Sequence, residues 1–186
     1  MHDFEAWLAD VSDHTLPGGV AVAALAAAMG AALAAKGLRV TLNRGHLTPG
    51  QQQELEVAVQ AAREAQGHLV ALSEADQAAF RRVLAVGKLP AGINERREAY
   101  EGATDVPVLV AGTCRNLLDR LSPLHGSCPP DVLVDLEIGT RLLLAGLYAG
   151  IRAARANLEA WKAELNGDSV SDTLSRRIEE LEWNRI

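Results

Sequence analysis

The chain has 186 residues, with 18 Lys and Arg against 24 Asp and Glu, giving a formal net charge of −6. An acidic chain without a basic cluster lacks the electrostatic footprint of a nucleic-acid binder, and its length predicts one domain, 1–186, able to bury its own core. With 32 Ala and 27 Leu against only seven aromatics, the composition predicts an all-α protein, because pleated sheets are filled by the β-branched and aromatic types that are scarce here.

Pro, Gly and polar clusters divide the chain into helices. A short first helix over 3–11 carries Phe4, Trp7, Leu8 and Val11 at helical spacing. A long apolar helix opens at Pro17 and runs to about Asn43. Its stretch from Leu16 to Ala35 carries no charge and is long enough to cross a bilayer. Ten of those residues are Ala and three are Gly, so insertion would be weak, and a buried helix is expected instead of a membrane span. Thr48 and Pro49 read as the N-cap and first position of a third helix ending near Ser73. Ser73-Glu74-Ala75-Asp76 reads as the start of a separate fourth helix, ending near Leu89-Pro90-Ala91-Gly92. A fifth runs from Asn94 to Leu121, with a kink or break expected near Asp105-Val106 because Pro107 lacks an N–H and crowds the preceding turn. Ser122 to Pro130 reads as a loop, Asp131 to Leu165 as a long sixth helix stopped by Asn166-Gly167, and Ser171 to Trp183 as a charged terminal helix.

Cys114 and Cys128 form no CxxC pair and the five His show no ligand spacing, so no metal site is expected. The first residues lack the basic start and apolar run of a secretory signal, which makes the cytoplasm the expected location.

Two helices carry unusually small faces. Gly19, Ala23, Ala26, Gly30, Ala34 and Gly37 of the second fall within a wedge of about 80°, and Asp135, Gly139, Gly146, Gly150, Ala153 and Asn157 of the sixth within about 60°. An interior Gly costs about 1 kcal/mol relative to Ala, so something must offset several of them. Close helix packing would do so; so would a flat ligand lying where side chains are missing, with Asp135 at its polar edge.

The run Thr15-Leu16-Pro17-Gly18-Gly19, continuing into Met29-Gly30-Ala31-Ala32-Leu33, resembles the opening signature of the cyclodeaminase/cyclohydrolase family. Asp76-Gln77-Ala78-Ala79-Phe80, Lys88-Leu89-Pro90, Ala103 with Val106-Pro107, and Val134-Asp135-Leu136-Glu137-Ile138-Gly139 resemble further blocks of that family in the same order. The resemblance implies a bundle of antiparallel long helices that pairs into a homodimer and binds a reduced folate, a tetrahydrofolate derivative that is substrate and not a separate cofactor. It implies either formimidoyltetrahydrofolate cyclodeaminase or methenyltetrahydrofolate cyclohydrolase activity. The chain departs from the family pattern at Val20 and Ala21, which stand where a third Gly and a Ser are usual, and at Ala153, which stands where an Asn is usual. Those departures motivate a rival expectation, a catalytically inactive helical dimer that binds folate or serves assembly.

Either reaction needs one positioned acid/base group and no metal. Asp135 is the expected catalytic carboxylate, able to stabilise an amidinium-like cation and to move a proton; the other role for it is a carboxylate favoured by the start of its helix. Thr15, Pro17, Gly18 and Gly19 are expected to contact substrate, their free backbone N–H groups suiting a pterin carbonyl or an anion. Asp76 suits the pterin amino groups, or equally a helix-start acid. Lys88, with Arg44, Arg141 and Arg155 as further choices, suits the anionic folate tail. Gly139 and Asn157 complete the expected substrate-binding set.

Overall fold

The computed structural model describes residues 2–44, 47–88, 91–164 and 172–183. Six α-helices and one short 3-10 segment account for the described elements: α1 His2–Asp13, α2 Gly19–Arg44, α3 Pro49–Lys88, α4 Ile93–Leu121, the 3-10 turn Ser122–Ser127, α5 Pro130–Glu164 and α6 Asp172–Trp183. The all-α expectation holds. α2 packs between α3 and α5, and α4 closes the other side between the same two helices. All four run antiparallel to their neighbours. Gly30 of α2 meets Gly139 of α5, while Gly37, further along α2, meets Val132, earlier on α5. On the opposite side, Ala103 of α4 faces Asn157, and Pro107 faces Gly150.

The core is alanine and leucine. Ala24, Ala27, Ala31, Ala34 and Leu38 of α2 are buried against Leu55, Ala62 and Leu69 of α3, Val110 and Cys114 of α4, and Leu136, Leu143 and Leu147 of α5. Such small residues let helix axes approach closely, and the glycines carry this furthest. A Cβ added at Gly139 would lie 2.6 Å from the Gly30 carbonyl, and one at Gly30 would lie 2.6 Å from the Gly139 carbonyl. At Gly146 the intruding atom would meet Ala27 Cβ at 2.7 Å and Cys114 Sγ at 2.9 Å. Close packing therefore fills the small faces at Gly30, Gly139 and Gly146, and no space for a flat ligand remains there. α2 is long and apolar enough to cross a membrane, yet half of its most apolar stretch is buried inside the bundle.

Four expectations are corrected. No helix break occurs at Ser73, because α3 runs unbroken from Pro49 to Lys88. Ser-Glu-Ala-Asp contains no residue that forbids helix, and Ser73 is buried within it. Pro107 does not break α4, which is continuous from Ile93 to Leu121. The carbonyl it deprives of a donor, that of Ala103, accepts instead from Asn157 Nδ2 at 2.6 Å, so the orphaned acceptor is satisfied from a neighbouring helix. The stretch after α4, expected to be a loop, winds into a 3-10 turn with Pro123 in its first positions. Thr48 does cap α3: its hydroxyl accepts from the Gln51 N–H, and the Gln51 amide oxygen accepts from the Thr48 N–H, a reciprocal capping box. Pro17 lies outside α2, which begins at Gly19, and the Leu16–Pro17 peptide is cis. The stop at Asn166-Gly167 lies outside the described residues, as do Leu89 and Pro90.

Candidate active site

α3 has 40 residues and α2 has 26, so α3 is longer by about 20 Å at 1.5 Å per residue. Asp76 of α3 sits level with the start of α2, and the last twelve residues of α3 continue past it. The end of the bundle is therefore left to α3, the first turns of α4 and the last turns of α5, with the Pro17-Gly18-Gly19 corner as its floor.

Asp76 is the chemical centre of that end. Its carboxylate accepts a hydrogen bond from the Ala21 backbone N–H, in the first turn of α2, and Oδ2 would lie 4.0 Å from a Cβ built on Gly18. The side chain thus caps α2 from another helix, satisfying one of the donors that every helix start leaves open. It is not a helix-start acid of its own element, since α3 is continuous through it. Burial raises the carboxyl above its ordinary value of 3.8, and the Ala21 N–H opposes part of that shift. A half-buried carboxyl whose pKa burial raises, beside a glycine corner without side chains, is placed to exchange a proton with a bound molecule.

Of the expected substrate-binding set, the structure sets Gly18 beside Asp76, with Thr15, Pro17 and Gly19 its near neighbours in the chain. Asn157 belongs to the same end, because α5 runs antiparallel to α2 and has passed the start of α2 by that point, but its Nδ2 is committed to the Ala103 carbonyl. Lys88 is exposed, twelve residues or about 18 Å beyond Asp76 along α3. Gly139 lies mid-bundle against Gly30 and has no room for a ligand beside it. Asp135 is elsewhere. It pairs with Lys36 Nζ at 2.7 Å, and Lys36 lies seventeen residues after Gly19, about 25 Å along α2 from the corner. Within one chain Asp135 and the glycine corner do not form one site.

Other charges sort similarly. Arg44 is paired with Asp131, whose carboxyl is lowered by that guanidinium, and Arg155 with Glu182; neither is available for a folate tail in this arrangement. Arg97, which the sequence did not single out, lies two turns before Ala103 on α4, and its Nε is buried without a hydrogen-bond partner among the described residues. Its signal was the paired Arg96-Arg97 in the first turns of α4. Of the family departures, Ala21 is fully buried and contributes its N–H and not its side chain to Asp76. Cys114 is a core residue whose thiol burial pushes up to about 12, which leaves it without thiolate character. Among the described residues, no three His, Cys, Asp or Glu side chains gather as a metal-ligand group.

Comparison with known proteins agrees with this architecture. The sequence profile of formiminotransferase-cyclodeaminase matches residues 3–176. The chain is 29% identical over 180 residues to chicken (Gallus gallus) formimidoyltransferase-cyclodeaminase, covering 88% of this chain and 32% of that protein. It is 27% identical over 174 residues to methenyltetrahydrofolate cyclohydrolase of Methylorubrum extorquens, covering 89% and 80%. The chain thus spans about a third of the length of the chicken protein and most of the bacterial one. The crystal structure of formiminotetrahydrofolate cyclodeaminase from Thermotoga maritima superposes with a TM-score of 0.80 at 23% identity, covering 98% of this chain and 88% of that one. By the span of the profile match, the chain belongs to the formiminotransferase-cyclodeaminase family.

Proposed function

We propose that this chain is a folate one-carbon enzyme acting on the bridge between N5 and N10 of tetrahydrofolate, as a formimidoyltetrahydrofolate cyclodeaminase or a methenyltetrahydrofolate cyclohydrolase. The observation that carries the reading is the Asp76 carboxyl at the bare start of α2, in a chain whose relatives are named for these two reactions. In cyclodeamination N10 attacks the formimino carbon and ammonia departs, so a protonated carboxyl can deliver the proton that the leaving nitrogen takes. In the cyclohydrolase reaction water adds to the cationic methenyl carbon, and the ionised carboxyl can accept the proton that this water loses. A carboxyl shifted upward by burial serves both steps with one group. The reduced folate is substrate, with no further cofactor, and the half-buried Arg97, whose Nε has no hydrogen-bond partner among the described residues, suits its anionic tail. This reading takes the protein to be a cytoplasmic homodimer, where Cys114 and Cys128 stay as the free thiols seen here.

The test is the loss of the methenyl-tetrahydrofolate chromophore, followed by ammonia release from the formimino substrate, for wild type, Asp76→Asn and Asp135→Asn. Wild type is expected to turn over one of the two substrates, with kcat falling about 10²–10⁴-fold in Asp76→Asn and little changed in Asp135→Asn. Loss confined to Asp135→Asn would move the chemistry to the Lys36–Asp135 pair. Silence of wild type on both substrates would favour the inactive helical dimer.

A further inference from the structure

We propose that α1 is an exchanged arm that seats on the outer face of α5 of a second copy of this chain. Two surfaces of opposite character stand open in the same molecule. On α1, Phe4 and Leu8 are 45% and 46% exposed, the Phe4 and Trp7 rings stack at 6.0 Å, and the helix has no substantial packing partner among the described residues. An isolated helix of twelve residues is marginal in water, and an apolar stripe on it needs a surface to lie against. The stripe is flanked by acids, Asp3 and Asp10 on one side and Glu5 on the other, and no Lys or Arg precedes Lys36.

The complementary surface is on α5. Val134, Ile138, Arg141, Ala145, Tyr148 and Arg152 follow one another at alternating steps of four and three, the spacing of a helix-pairing seam, and all six are exposed. Val134 and Tyr148 are 55% and 58% exposed, and neither Arg141 nor Arg152 has an ion-pair partner among the described residues. From Val134 to Arg152 the seam is about 27 Å long, enough to take the about 18 Å of α1 along its length. An acidic apolar helix and a longer apolar seam carrying two Arg thus lie unpaired in one chain. Two copies related by a two-fold axis cover both surfaces twice, each arm on the other's seam. The inference rests on the homodimer proposed above and is independent of the folate chemistry.

The experiment uses the full-length chain, with Cys128→Ser to remove the accessible native thiol. Copies carrying Leu8→Cys with a large tag are co-expressed with copies carrying Tyr148→Cys without one, treated with a short bis-maleimide, and sized before and after. The expected result is a dimer mass and a covalent product containing one tagged and one untagged chain. A second variant set supports it: Arg141→Glu with Arg152→Glu raises the dimer dissociation constant at least tenfold, and Asp3→Lys with Asp10→Lys restores it. A dimer mass without the mixed product overturns the arm exchange and leaves the pairing standing. A cross-link formed within one chain carrying both Leu8→Cys and Tyr148→Cys likewise overturns it, by seating α1 on its own α5. A monomer mass overturns the exchange and the pairing together.

Discussion

Asp76 shows how much of a site is decided by one half-buried side chain. Folding moves its carboxyl into a less hydrated place, so the folded chain holds that proton to higher pH than the unfolded chain does. A group raised in this way contributes stability that is full below its unfolded value, near 3.8, and that is lost as pH rises through the higher folded value. Asp76→Asn keeps an oxygen for the Ala21 N–H and removes the charge. Its melting temperature is therefore expected to gain on wild type steadily from about pH 4 upward and to run parallel above the folded value, which thermal melts across pH 3.5–8 in one ionic strength would show. A constant offset at all pH values would mean that the carboxyl is not perturbed. Neither the partner nor the shift could be read from the sequence, because Asp76 and Ala21 are 55 positions apart. The sequence placed a carboxylate there and matched it to a family block; only the continuity of α3 separates a site acid from an ordinary helix-start acid.

At the scale of elements, the glycines divide into two classes that composition alone merges. Gly30, Gly139, Gly146 and Gly150 lie where a Cβ would strike a neighbouring helix, at Gly150 within 2.5 Å of the Pro107 carbonyl. Gly67 and Gly112 sit in helices with nothing within 4 Å of a built Cβ. Gly139→Ala is expected to destabilise by about 1–3 kcal/mol, the range for overpacking, since the obstructing atom is backbone and cannot rotate away. Gly67→Ala is expected to stabilise by about 0.4–1 kcal/mol through reduced freedom of the unfolded chain. Urea melts of the two variants should move in opposite directions, and a shared sign would contradict the close packing of α2 on α5. The packing of α4 on α5 explains why the local chemistry of Pro107 predicts a break that does not occur. Proline chemistry is local and predicts a break, whereas the donor that rescues the Ala103 carbonyl is Asn157, on a helix more than fifty residues later. The helices themselves were legible from apolar runs and from punctuation by Pro and Gly. Ser73-Glu74-Ala75-Asp76 was not, because capping residues look the same in a helix interior as at its start.

The whole molecule is a four-helix frame with one clamp. α6 touches the alanine-leucine core through the partly buried Leu181, while its buried Leu174 and Ile178 join a separate cluster with Val108, Ala154, Leu158 and Trp161. Three polar ties hold its outer side: Arg177 to Asp105, Arg155 to Glu182, and Arg115 Nη2 donating to the Leu181 carbonyl at 3.0 Å. Two of these reach α4 and one reaches α5, so α6 binds together the helices whose ends surround Asp76. Segments with their own small core open at lower free energy than the global unit. Ile178→Asp buries a charge in that cluster without a partner and is expected to release α6 while the frame stays folded. Hydrogen exchange should then lose protection over 172–183 and over the last turns of α5 around Leu158 and Trp161, with the centre of α2, Ala24 to Leu38, still protected. If the clamp also sets the spacing of α4 and α5 at the site, folate turnover should fall in this variant through KM more than through kcat, because the carboxyl on α3 is untouched while the walls around it move apart. Loss of protection across α2 as well would show that α6 is part of one cooperative core and not a clamp on a finished frame.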